Sequence, residues 1–134
     1  MQDCGVSASP VLGFSHVQLL VGDVATSERW YTTVLGLERL QADDAEGYVA
    51  LRHRPSRLVI VLTRRLDGSA PRETTLDHLA FAVADGPALD AWAEHLSDLG
   101  IAHAGVQLEL GKPSLQLVDP DGIAIELVAP AVRP

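Results

Sequence analysis

The chain has 134 residues, the length of one ordinary domain, and at 47% hydrophobic it can bury a core without disulfides or a structural metal. A formal net charge of −8 argues against a nucleic-acid backbone or an anionic membrane surface as partner. Cys4 is the only cysteine, which rules out an internal disulfide and points to a reducing compartment. No apolar run approaches the ~20 residues of a membrane span. Met1–Pro10 lacks the basic start and apolar stretch of a secretory signal, so the expected location is the cytoplasm.

After a tail at 1–12, the first half is expected to run from 13 to 65. Alternating residues Phe14–Val21 predict a strand, and Gly22-Asp23 a turn. Ala25–Leu35 predicts an amphipathic helix that ends at Gly36. Strands are expected at Glu38–Ala42, Tyr48–His53 and Arg57–Thr63. Residues 66–75, broken by Gly68 and Pro71, read as a linker. The second half, 76–130, repeats the order. It has a strand at Leu76–Val83, an acidic turn, a helix at Pro87–Leu99 ending at Gly100, and strands near Ala102–Leu110, Ser114–Val118 and Ile123–Val128. Asp119-Pro120-Asp121-Gly122 supplies the last turn.

The repetition is internal and specific. One spacing carries His16 onto His78, Asp23 onto Asp85 and Trp30 onto Trp92. Each half is βαβββ, and neither holds a large core alone, so the two make one α+β domain. Strand alternation puts Val17, Leu19 and Val21 on one face and His16, Gln18 and Leu20 on the other. In the second half Leu79, Phe81 and Val83 oppose His78, Ala80 and Ala82, and Ile125 and Leu127 oppose Glu126. The bulky faces can pack under helices, while the other faces carry His, His and Glu around a cup.

Two neutral imidazoles and a carboxylate can hold a divalent metal and leave positions open for substrate. Singly, each residue has a plainer reading. His16 could be a hydrogen-bonded histidine in a sheet, Asp77-His78 a surface pair, and Glu126 a solvated strand residue. Jointly, histidines at equivalent places of a repeat and a glutamate on the last strand favour a site. His53, His95 and His103 lack that support and read as surface residues.

The segments Phe14-Ser15-His16-Val17, Trp30-Tyr31, Leu35-Gly36-Leu37, Leu76-Asp77-His78-Leu79-Ala80-Phe81, Asp119-Pro120-Asp121-Gly122 and Ile125-Glu126-Leu127 carry a resemblance. From Gly13 to Ala129 the chain resembles the glyoxalase, bleomycin-resistance and extradiol-dioxygenase superfamily, the vicinal oxygen chelate proteins. The resemblance implies two βαβββ modules forming a curved mixed sheet around a metal-binding cup. It also implies His16, His78 and Glu126 as ligands of a divalent ion, with iron, manganese, zinc and nickel not distinguished.

Departures narrow the activity. Glyoxalases of this family carry a fourth ligand on the last strand of the first module, where this chain reads Val59-Ile60-Val61-Leu62-Thr63 and Val61 takes the position. A typical glyoxalase or epimerase is therefore disfavoured. Extradiol enzymes add a second pair of modules and an acid–base His or Tyr, and none follows His103 here. Lone Lys112 is a poor substitute for the basic residues that fosfomycin-modifying relatives use. The expected function is a metal-dependent enzyme acting on a small substrate bound through vicinal oxygens. The alternative is a metal-free cup that sequesters a drug, as bleomycin-resistance relatives do. Gln18, Tyr48 and Arg52 are candidate substrate-binding residues, and Glu73 and Glu109 are bases only if loops fold over the site. A homodimer is expected, because in relatives the two halves of one cup can belong to different chains.

Overall fold

The structure is a computed structural model that describes residues 14–65, 76–109 and 111–130. The expected tail and the linker at 66–75 lie outside the described residues. The element order is β1 (Val17–Val21), α1 (Val24–Val34), β2 (Glu38–Asp43), β3 (Tyr48–His53) and β4 (Leu58–Arg64) in the first half. The second half has β5 (His78–Ala82), α2 (Gly86–Asp98), β6 (Gln107–Glu109), β7 (Lys112–Val118) and β8 (Ala124–Val128).

Each half forms its own four-stranded mixed sheet, in the orders β1-β4-β3-β2 and β5-β8-β7-β6. In both, the strand before the helix pairs in parallel with the last strand, and the remaining neighbours are antiparallel. The helices start where an aspartate can cap them. Asp23 accepts from the Thr26 amide at 3.0 Å and Asp85 from the Ala88 amide at 2.9 Å. Pro87 sits in the first turn of α2, where its missing N–H costs nothing. The second helix stops at Gly100, whose φ of 72° closes the turn and lets the Ile101 amide reach the Leu96 carbonyl at 2.8 Å.

The bulky strand faces are buried as the alternation requires. Leu19, Val21, Leu51, Ile60 and Leu62 pack from one sheet and Leu115, Leu117, Ile125 and Leu127 from the other. Tyr31, Val34, Leu89 and Leu96 join them from the helices, and the halves share one hydrophobic core. A buried polar knot pins the halves together. The Tyr31 hydroxyl donates to Asp119 at 2.8 Å, and the other Asp119 oxygen accepts from the amides of Asp121 and Ile123. Asp121 in turn accepts from the Gly22 amide at 2.8 Å, the Ser27 hydroxyl and Arg65. A Cβ on Gly22 would lie 3.0 Å from the Arg65 guanidinium and 3.3 Å from the Asp121 carboxylate, so a side chain there would press on both groups.

Several sequence expectations shift. The strand expected over Ala102–Leu110 shortens to Gln107–Glu109. Gly105 bends the backbone at φ 82°, and His103 holds that bend by accepting from the Gly105 amide while pairing with the Ser97 hydroxyl. His103 is thus half-buried with defined partners rather than a surface residue. The strand expected from Ser114 begins two residues earlier, at Lys112.

Candidate metal centre

Cross-strand pairing fixes which side chains face together. Along β5 and β8, His78 lies opposite Ala124, Ala80 opposite Glu126 and Ala82 opposite Val128. Along β7, Gln116 lies opposite Glu126 and Ser114 opposite Val128. These positions share the face turned away from the buried Ile125, Leu127, Leu115 and Leu117. They border a cavity of about 690 Å³ whose polar residues are Asp77, His78, Lys112, Ser114, Gln116 and Glu126. Alanines at 80, 82 and 124 leave the space that larger residues would fill.

At one end of this cavity the His78 ring is held on both sides. Its Nδ1 lies 2.6 Å from the Asp77 carboxylate and its Nε2 3.5 Å from Glu126 Oε1. With its proton on Nδ1 toward Asp77, the ring would present the Nε2 lone pair to an ion bound beside Glu126. Two donors each about 2.1 Å from one metal lie about 3.0–3.4 Å apart, so the pair fits co-ligands with a small adjustment. The Gln116 amide stands 3.4 Å from the second Glu126 oxygen.

His16 is placed differently. It directly precedes β1, is exposed, and has Nδ1 3.0 Å from the Ser15 hydroxyl. Every described residue bordering the His78–Glu126 cavity comes from the second half. Among the described residues, no three histidine, cysteine or acidic side chains of one chain gather closely enough to hold a metal. One chain therefore brings together His78 and Glu126, and not His16.

Gln18, Tyr48 and Arg52 also lie on the first sheet rather than in this cavity. Gln18 donates to the Thr63 hydroxyl at 3.0 Å, and the Gln41 amide donates to the Tyr48 hydroxyl at 2.8 Å. Arg52 pairs with Glu38 at 2.8 Å, and this holds the Glu38 carboxyl below its usual range. Sequence reasoning passed over Asp77, Gln116 and Lys112 as site residues. Alternation along β7 would have revealed Lys112, had the strand been started two residues earlier.

The glyoxalase/bleomycin resistance protein/dioxygenase superfamily model matches residues 13–127. The chain belongs to that superfamily. Among solved structures, a glyoxalase/bleomycin resistance protein/dioxygenase domain from Frankia sp. EAN1pec is 32% identical, with a TM-score of 0.79 over 90% of this chain and 98% of that one. A lactoylglutathione lyase from Agrobacterium tumefaciens is 20% identical, with a TM-score of 0.73 over 90% and 96%. The fosfomycin resistance protein FosX from Listeria monocytogenes is also 20% identical, with a TM-score of 0.75 over 92% and 97%. At that identity the last two share the fold alone. No curated protein matches the chain. The superfamily arrangement of paired βαβββ modules is the one observed here.

Proposed function

We propose that this superfamily member is a metal-dependent enzyme acting on a small substrate that binds through two neighbouring oxygens. The observation that carries the reading is the His78 ring, oriented by Asp77 and aimed at Glu126 within a cavity. His78 and Glu126 of one copy and His16 of a second copy would hold the ion. When bound, the ion supplies a Lewis acid with open positions. Asp77 keeps His78 in the ligand tautomer, and Glu126 brings the negative charge that a divalent cation needs. The small side chains of Ala80, Ala82 and Ala124 admit the substrate body.

What a single chain leaves uncovered supports a homodimer. Phe14 is 91% exposed and Leu20 60%, flanking His16, while Val118 on the second sheet is 56% exposed. Apolar side chains beside an incomplete ligand set suit a face that a second copy covers. A metal-free cup that sequesters a drug fits less well, since it leaves the paired His78 and Glu126 in the cavity without a purpose. The single cysteine suits the cytoplasm.

Elemental analysis of protein purified without added metal tests the reading. About one divalent ion per chain is expected, and little in His16→Ala, His78→Ala or Glu126→Ala protein that retains the native circular dichroism spectrum. Full occupancy in all three variants would overturn it.

A further inference from the structure

We propose that the substrate of this site carries a carboxylate, held by Lys112 at the end of the cavity opposite the His78–Glu126 pair. The inference rests on the metal-dependent reading above and adds the chemical class of the substrate.

The cavity is polar at two ends and plain between them. Successive rows across the sheet, read from the pairing, are His78–Ala124–Val118, then Ala80–Glu126–Gln116, then Ala82–Val128–Ser114. Lys112 lies one row further along β7, on the same face as Ser114 and Gln116. The intervening row presents an alanine, a valine and a buried serine, which is a floor for the uncharged body of a ligand.

Lys112 is the only lysine in a chain of net charge −8, and it is exposed within this cavity. The other cations of the described residues are arginines, several of them committed to carboxylates: Arg39 to Glu28, Arg52 and Arg54 to Glu38, and Arg65 to Asp121. No ion pair engages Lys112 among the described residues. The position opposite it on β6 is Glu109, the one acidic position in that row.

Spacing sets the ligand's dimensions. Four residues separate Gln116 from Lys112, about 13 Å at ~3.3 Å per strand residue, and the flexible lysine stem shortens the gap. Across this gap Glu126 opposes an anion less than the adjacent Lys112 ammonium attracts it, because the attraction acts over the shorter distance. A molecule with neighbouring oxygens at one end, a short apolar body and an anionic group at the other spans this distance. A single compact ammonium suits a monoanionic carboxylate. A phosphoryl dianion ordinarily recruits several donors, and the row offers none besides Lys112.

The test is calorimetric titration of ortho-dihydroxyphenylacetate against its uncharged amide, into metal-free and zinc-loaded protein. The acid is expected to bind at least about fivefold tighter than the amide in both forms. Lys112→Met should abolish that preference, and Lys112→Arg should retain it. Equal binding of acid and amide, including no binding of either, overturns the inference, as does an unchanged preference in Lys112→Met. The corresponding phosphonate gaining more than the acid from Lys112 also overturns the carboxylate assignment. If the acid preference depends on Lys112 but zinc tightens neither probe, the substrate inference stands and the metal-dependent reading fails.

Discussion

Val61 and Glu126 occupy the same place in the two halves. Val61 pairs with Gln18 on β1 and Glu126 with Ala80 on β5, and Gln18 and Ala80 each lie two residues after the histidine of their half. The first half therefore presents a valine where the second presents a carboxylate. A valine side chain can neither ligate an ion nor move a proton. The expected outcome is no measurable turnover of the methylglyoxal–glutathione hemithioacetal in an absorbance assay. Val61→Glu should raise zinc affinity by about tenfold or more, through an added charged ligand. Efficient turnover by the unmodified chain would show that proton transfer does not need that position.

Asp77 is expected to act on the metal only through His78. It touches the ring nitrogen that faces away from Glu126, at 2.6 Å. Asp77→Ala should lower zinc affinity by about tenfold, in the range found for outer-shell partners of ligating histidines. Nitrogen NMR of the metal-free protein should show the His78 ring losing its single tautomer. Unchanged affinity together with an unchanged tautomer would assign Asp77 to the surface alone.

Tyr31 and Asp119 should behave as one unit in stability. Both are buried, and burial raises the titration of both groups, with the Asp119 charge raising the tyrosine further. Tyr31→Phe leaves one carboxylate oxygen without its donor and should cost about 1–2 kcal/mol. Asp119→Ala also strips the Asp121 and Ile123 amides of their acceptor, and should cost about 3 kcal/mol or more. The double variant should cost clearly less than the sum in urea denaturation. Strict additivity would mean the hydroxyl and the carboxylate are not coupled.

Much of this architecture was legible because periodicity is local. The alternation in Phe14–Val21 and Leu76–Val83 placed the buried faces, and the repeated Asp and Gly marked where each helix begins and ends. Two features were not local. The polar knot joins Tyr31 and Ser27 to Asp119 and Asp121 across most of the chain, and no spacing rule foretells it. The separation of His16 from His78 and Glu126 depends on how the two sheets pack, whereas the repeat shows only that the strands are equivalent. Lys112 was weighed only as a lone basic residue, because the strand expected from Ser114 left it outside β7, which begins at Lys112.

Acid should remove a modest part of the stability through Glu28. A side-chain hydrogen bond from Arg39 holds its carboxyl below the usual range, against some desolvation. Because the folded value lies below the unfolded one of about 4.3, the contribution is present above that pH. It is lost as pH falls through the folded value. Glu28→Gln should therefore cost up to about 1 kcal/mol at pH 7, the ceiling for a half-exposed pair, and close to nothing at pH 2. An equal cost at both pH values, measured by urea denaturation, would attribute the effect to packing instead.

The arrangement of cups across copies makes the sharpest prediction. If His16 of one copy completes the His78–Glu126 pair of another, each site of a homodimer draws on both chains. A dimer mixing one His16→Ala chain with one Glu126→Ala chain then has one site lacking two ligands and one site with all three. Neither variant alone can form an intact site. The two variants, unfolded and refolded together, should recover metal binding in the mixed dimers, which make up about half of a random mixture. Those dimers can be separated by a charge tag on one variant, and should carry one ion where each parent carries little. A cup formed within a single chain predicts no recovery, since every chain in the mixture still lacks a ligand. Sedimentation as a monomer at micromolar concentration would remove the shared cup altogether.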